Sequence, residues 1–134
     1  MTVHAGDYPG VLEVADCGAI ASGTATLDAA LAGLPLVAVY RMQALSYAVA
    51  RSLVRVPHIA LPNLVAGLRV VPELVQGECT PDGVAQALQA FLDAPDRAAA
   101  TRAALAEVRV KLAGDGAFER AADAVLAEVG RKPV

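Results

Sequence analysis

A continuous apolar run, Leu36–Tyr40, is the feature that most constrains the fold of this chain. The run reads LVAVY, carries no charged residue and follows a Gly-Leu-Pro connector. Strands with one face in water alternate in polarity, whereas an uninterrupted run is typical of a strand buried on both faces of a parallel sheet. The run therefore predicts an inner strand of an α/β fold.

The residues before this run predict the rest of a β-α-β unit. Gly18–Ala21 has the composition of a short buried strand, and a small polar turn at residues 22–24 interrupts it. Residues 24–32 then predict a helix, which Gly33 ends because glycine tolerates the left-handed backbone found after helix C-termini. Parallel strands need a crossover of this kind, so the strand, the turn and the helix favour one topology.

Proline positions and apolar spacing predict the remaining elements. The predicted helices are residues 9–15, 42–56, 72–76, 81–94, 95–113 and 117–129, and residues 58–61 are predicted as a further strand. Three or four strands make up only part of a doubly wound sheet, which usually has five or six. We therefore expect residues 1–134 to form one incomplete α/β, Rossmann-like domain with carboxy-terminal helices.

Composition excludes several other classes of protein. The chain has 134 residues, of which 56% are hydrophobic and 19% charged, and this excludes a disordered chain. The longest apolar stretch spans about 12 residues, whereas a membrane-crossing helix needs roughly 20. No secretory signal precedes the first elements, so we expect a cytoplasmic protein. The net charge of −3 argues against nucleic-acid binding, and Cys17 and Cys79 lack the spacing of a zinc site. We expect no metal and no cofactor.

The charges are unevenly distributed along the chain. Residues 29–72 contain no carboxylate and four arginines: Arg41, Arg51, Arg55 and Arg69. Such a stretch would attract phosphates or an anionic surface if the side chains converge. It could equally be buried core with a few arginines whose stems lie along apolar surface. Charge alone leaves both interpretations open.

The turn between the first strand and its helix is the strongest candidate for a binding site. Ser22, Gly23 and Thr24 lie at the carboxyl end of the predicted strand and at the start of the helix. Free N–H groups, the helix dipole and two hydroxyls would bind a phosphate or diphosphate there, and Asp28, one turn further on, could accept hydrogen bonds from a ribose. The alternative is an ordinary helix N-cap by Ser22 or Thr24, with Asp28 as an exposed helix residue.

Several sequence blocks together resemble the carboxy-terminal half of the lipid-A-disaccharide synthases, which are GT-B glycosyltransferases. The blocks are SGTATLDAAL at residues 22–31, GLP at 33–35, YR at 40–41, LPNLVAG at 61–67 and VPELVQ at 71–76. The resemblance covers residues 10–130. It implies transfer of 2,3-diacylglucosamine from UDP to 2,3-diacylglucosamine 1-phosphate, a lipid monosaccharide phosphate, in lipid A biosynthesis.

The resemblance also implies roles for individual residues. Ser22, Gly23 and Thr24 would meet the diphosphate, and Asp28 would meet the ribose, although the family usually has the longer Glu at that position. Four further residues match family positions that lie in the sugar and phosphate cleft or near the nucleotide: Arg41, Asn63, Glu73 and Gln76. The chain offers no convincing catalytic base, because His4 lies near the chain start and His58 lies in an apolar run. The base is expected in the amino-terminal half, which is absent.

Two other functions fit the same residues. The chain could belong to a GT-B transferase with another acceptor, or it could be a non-catalytic module that docks on a partner or a membrane. Tyr47, Arg51 and Arg55 share one side of the predicted helix 42–56, which is a candidate for peripheral contact with the inner membrane. The surface that would normally contact the amino-terminal half is a candidate for self-association.

Overall fold

The computed structural model describes residues 6–43, 47, 56–113 and 117–129. The described elements, in chain order, are α1 Tyr8–Val14, β1 Gly18–Ala21, α2 Thr24–Leu31, β2 Leu36–Tyr40, α3 Leu61–Ala66, β3 Glu73–Val75, a 3₁₀ turn Gln76–Glu78, α4 Pro81–Leu92, α5 Pro95–Leu112 and α6 Ala117–Val129.

The strands form a three-stranded parallel sheet in the order β1-β2-β3. Ala21 pairs with Val39, and Tyr40 pairs with Val75. The backbone N–H of Ser22 extends the first ladder by donating to Val39 O at 2.9 Å. With helices on both faces, the arrangement is an α/β, Rossmann-like fold.

The central strand is buried on both faces, as its uninterrupted apolar sequence predicts. Leu36 and Ala38 pack into a core that includes Ala29 of α2 and Leu105 of α5. The alternate residue Val37 packs on the other side of the sheet against the second core, which contains Phe91 of α4 and Ala98 of α5. Because successive side chains of a strand point to opposite faces, both cores depend on β2.

Most of the predicted elements are confirmed. The strands Gly18–Ala21 and Leu36–Tyr40 and the helix Ala117–Val129 have the predicted bounds. Four other helices begin and end within two residues of their predicted bounds: α1, α2, α4 and α5. Gly33 follows α2 with a φ of 75°, the left-handed conformation expected there.

The prediction of a strand at residues 58–61 is wrong. Leu61 is already the first residue of helix α3, and the three residues before it form a loop. Pro62 lies in the first turn of α3, where a missing N–H costs no hydrogen bond because helix starts leave those groups free. Pro62 therefore helps to begin a helix, whereas the prediction placed it at the end of a strand.

The prediction of a helical turn at residues 72–76 is also wrong. Glu73–Val75 is the third strand, and the Pro72 carbonyl accepts a hydrogen bond from Ala38 N at 2.9 Å. Pairing with β2 satisfies the backbone here, and this tertiary contact outweighs the local preference of a Pro-Glu sequence.

The predicted helix 42–56 lies largely outside the described residues, including Arg51 and Arg55. Met42, Gln43 and Val56 are not helical, whereas Tyr47 is. In the described parts of the chain, no helix has both the length and the hydropathy to span a bilayer.

Candidate functional site

Three of the predicted site residues follow the carboxyl ends of adjacent strands. Ser22 follows β1, Arg41 follows β2 and Gln76 follows β3. Since the strands are parallel, these residues lie along one edge of the sheet, which we call the carboxyl edge. Ligands of open α/β sheets bind at this edge.

The turn after β1 leaves the start of α2 open to a ligand. Gly23 is the N-cap residue of α2, and no side chain caps the helix. The Ser22 hydroxyl donates to Ile59 O at 3.1 Å, and the Thr26 hydroxyl donates to Gly23 O at 2.6 Å. The interpretation of this turn as an ordinary N-cap by Ser22 or Thr24 is therefore wrong. The Thr26 N–H donates to Gly23 O at 3.1 Å, whereas the N–H groups of Thr24 and Ala25 have no acceptor among the described residues and remain available for an anion.

Backbone geometry requires a glycine in this turn. Gly23 has a φ of 156°, a region that L side chains rarely adopt. A Cβ at this position would meet no atom within 4 Å, so the requirement is one of backbone conformation and not of space. The absence of a side chain also leaves the approach to the helix start unobstructed.

Asp28 and Thr24 are both exposed on α2. They are four residues apart and therefore lie on the same side of the helix. Neither side chain forms an ion pair or a hydrogen bond with another residue in the described ranges. Their oxygens are thus free for a ligand at the carboxyl edge.

The two residues that follow β2 and β3 differ in availability. Arg41 is exposed and has no carboxylate partner among the residues the structure describes. The Gln76 side chain is engaged instead: its Oε1 accepts from Met42 N at 2.9 Å and its Nε2 donates to Met42 O at 3.1 Å. Gln76 also has a positive φ of 52°. The geometry shows Gln76 holding the end of β2 beside the end of β3.

Asn63 and Glu73 form an internal hydrogen-bond network. Asn63 is fully buried, its Oδ1 accepts from Val70 N and Val71 N, and its Nδ2 donates to Val71 O and to Glu73 Oε1 at 2.8 Å. Glu73 Oε1 also accepts from Ala60 N at 2.9 Å, the N-cap residue of α3. The network fixes α3 and the loop before it to β3.

The predicted site residues therefore divide into two groups. Thr24, Asp28 and Arg41 present unengaged polar groups at or near the carboxyl edge. The side chains of Ser22, Asn63, Glu73 and Gln76 bond instead to backbone groups of the protein, as described above, and Gly23 has no side chain. In this conformation the side chains of the second group hold the loops and strand ends of the carboxyl edge in place. Asn63 has no exposed surface with which to contact a ligand.

A cavity of about 560 Å³ opens beside the end of β2. Its lining includes Tyr40, Tyr47, His58, Ile59 and Glu73. His58 Nδ1 lies 4.0 Å from Glu73 Oε1, beyond hydrogen-bond distance. Tyr40 and Ile59 are not among the predicted site residues. The signals for Tyr40 are its place at the end of the apolar strand and in the YR block, whereas Ile59 contributes its backbone carbonyl, which no side-chain pattern reveals.

Comparison with known proteins gives a consistent family assignment. The sequence model of the lipid-A-disaccharide synthetase family matches residues 3–128. The chain is 47% identical over 122 residues to a lipid-A-disaccharide synthase of Geobacter metallireducens, covering 91% of this chain and 32% of the relative. The corresponding protein of Syntrophus aciditrophicus is 48% identical over 108 residues, with 81% and 28% covered.

A third relative extends the same pattern. The lipid-A-disaccharide synthase of Sodalis glossinidius is 44% identical over 117 residues, which is 87% of this chain and 30% of the relative. The chain thus spans about a third of the length of the curated relatives it matches. With the family model covering nearly all of its residues, the chain belongs to the lipid-A-disaccharide synthetase family of glycosyltransferases.

Proposed function

We propose that this chain is the UDP-sugar-binding part of a lipid-A-disaccharide synthase. The complete enzyme would transfer 2,3-diacylglucosamine from UDP to 2,3-diacylglucosamine 1-phosphate. The observation that carries the proposal is the uncapped start of α2 at the carboxyl edge of the sheet. A helix start without a side-chain cap offers N–H donors and positive dipole potential to a diphosphate.

The proposed chemistry is an inverting displacement with UDP as leaving group. Negative charge develops on the diphosphate as the glycosidic bond to UDP breaks, and donors that are already in place lower the barrier. The N–H groups at the start of α2 and the exposed Arg41 are suited to this task. The Asp28 carboxylate, one turn further along α2, is suited to accept hydrogen bonds from the ribose hydroxyls.

The proton of the acceptor hydroxyl needs a base, which we assign to the part of the enzyme that this chain does not contain. Among the two histidines, His58 lines the cavity beside β2 but is only partly exposed, and His4 lies outside the described residues. The chain alone is therefore expected to bind UDP without turning over substrate.

A calorimetric or NMR titration of the chain with UDP tests this proposal. UMP lacks the second phosphate and ADP has another base, so both should bind more weakly than UDP. Asp28→Asn should weaken UDP binding about tenfold, the usual effect of losing one hydrogen bond to a charged group. Thr24→Ala should also weaken it, without affecting the Ser22 hydrogen bond to Ile59.

Glu107→Gln is the matched control, because Glu107 is exposed on α5 and the change removes the same charge. UDP binding that resists both α2 substitutions, or that weakens equally in the control, would overturn the assignment of this edge.

We further propose a cytoplasmic enzyme that contacts the inner membrane through Arg51 and Arg55. Vesicle sedimentation with anionic and neutral lipids tests this contact, and Arg51→Gln with Arg55→Gln should abolish the difference between the two lipids.

A further inference from the structure

A second cavity, of about 360 Å³, lies at the opposite edge of the sheet. Its lining includes Arg69, Val71 and Pro72, which precede β3, together with Arg97 and Thr101 of α5. Residues that lead into the amino end of a parallel strand lie at the other edge from the turn that follows β1. The cavity is therefore separate from the proposed UDP site, and Arg69 does not converge with Arg41.

Two guanidinium groups line this cavity, and neutral groups hold both of them. Arg69 Nη2 donates to the Glu73 carbonyl at 3.1 Å. The Arg97 guanidinium carbon lies 5.5 Å from the centre of the Phe91 ring, a cation–π distance. Throughout the described residues, no carboxylate lies within 4.0 Å of either group. Backbone and ring contacts position the two charges but do not neutralise them.

Thr101 supplies a third polar group, and this group has no partner among the residues that the structure describes. The residue is 8% exposed and lines the cavity. Its hydroxyl forms no hydrogen bond to any residue in the described ranges. Every fully buried polar side-chain atom in those ranges has a partner. The Thr101 hydroxyl has none, so it is not fully buried and is open to the cavity.

The lining selects for an anion with several oxygens. None of the residues that line the cavity is acidic. Arginine presents several N–H donors in a planar fork that matches phosphate, and Arg69 uses one of its donors within the protein. We propose that Arg69, Arg97 and Thr101 form a binding site for a phosphate group. The phosphate could belong to a soluble phosphate compound or to a phospholipid headgroup, because the same donors would bind either.

Titration of the intact chain with inorganic phosphate, followed by amide NMR at constant ionic strength, tests the site. The expected result is saturable shifts at Val71, Phe91 and Thr101, distinct from any shifts at residues 23–25. Arg69→Gln and Arg97→Gln should each weaken phosphate binding about tenfold, and Thr101→Val about fivefold. Vesicles that contain phosphatidic acid or only phosphatidylcholine form the second arm and identify a lipid source.

Arg109→Gln is the matched control, since Arg109 is an exposed arginine on the same helix and does not line the cavity. Circular dichroism melts verify that each variant is folded. Binding to free phosphate or to phosphatidic acid vesicles that weakens in the Arg69 and Arg97 variants and persists in the control supports the site. Absence of binding in both arms, or equal weakening by Arg109→Gln, overturns it. Asp28→Asn should leave phosphate binding here unchanged, so the result does not depend on the UDP proposal.

Discussion

Replacing Asn63 with alanine should strongly destabilise the fold, because this buried side chain connects helix α3 to the backbone of Val70 and Val71 and to the Glu73 carboxylate. It accepts from Val70 N at 2.8 Å and Val71 N at 2.9 Å, and it donates to Val71 O at 2.9 Å and Glu73 Oε1 at 2.8 Å. Asn63 and Val71 are 0% and 1% exposed, so water does not replace these bonds in the native structure. The substitution therefore leaves the N–H and the C=O of Val71 without partners.

The size of the effect follows from the cost of unsatisfied buried groups. Each such group costs about 1–3 kcal/mol, and the truncated side chain leaves space that one water can partly fill. We expect Asn63→Ala to lower the free energy of unfolding by about 3 kcal/mol. That is a large fraction of the roughly 5–15 kcal/mol of a typical domain, and it corresponds to a melting temperature about 10 °C lower.

Urea unfolding followed by circular dichroism measures this change. Gln86→Ala is the matched control, because Gln86 is an exposed amide on α4 and its truncation should change stability by less than about 0.5 kcal/mol. A second variant, Asn63→Asp, tests the contribution of the Nδ2 donor separately from that of the Oδ1 acceptor. It keeps an acceptor oxygen but replaces the N–H donor with a second carboxylate beside Glu73 Oε1, so this variant should also be destabilised, through repulsion between the two carboxylates. An alanine variant within about 1 kcal/mol of the native protein would refute the reasoning.

Three further predictions concern other parts of the chain. Gly23→Ala should cost about 1–3 kcal/mol of stability through its φ of 156° alone, measurable by thermal melting, because the added Cβ meets no atom within 4 Å. Burial, reinforced by Asp16, raises the pKa of the Cys17 thiol above its ordinary 9.0. The folded state therefore holds this proton to higher pH than the unfolded state, and stability should fall as the pH rises above about 9, an effect that urea unfolding should show to be absent from Cys17→Ala. Val125→Ser with Leu126→Ser on α6 should leave the melting temperature nearly unchanged, since the side chains are 63% and 67% exposed, but should reduce any self-association seen by sedimentation.

The elements that sequence predicted well are those whose signal is local. Leu36–Tyr40 needs no knowledge of its neighbours to be read as a buried strand, and Gly33 marks the end of α2 through its own backbone preference. The third strand carries no such signal. Glu73–Val75 has only three residues, and its extended backbone depends on pairing with β2, far away in sequence. Long-range pairing of this kind decides short segments against their local pattern.

The same distinction separates the two groups of site residues. The start of α2 could be predicted as an anion site because a strand, a small-residue turn and a helix follow one another directly, and the backbone itself supplies the donors. For the sequence block that contains Glu73 and Gln76, the residue types alone do not show which atoms these side chains contact. A carboxylate or an amide in a familiar motif can contact a ligand or hold the protein's own backbone, and only the partner atoms distinguish these tasks. Here Ala60 N and Met42 N are those partners, so substitutions at Glu73 and Gln76 should act on the shape of the carboxyl edge, whereas substitutions at Thr24, Asp28 and Arg41 should act on what binds there.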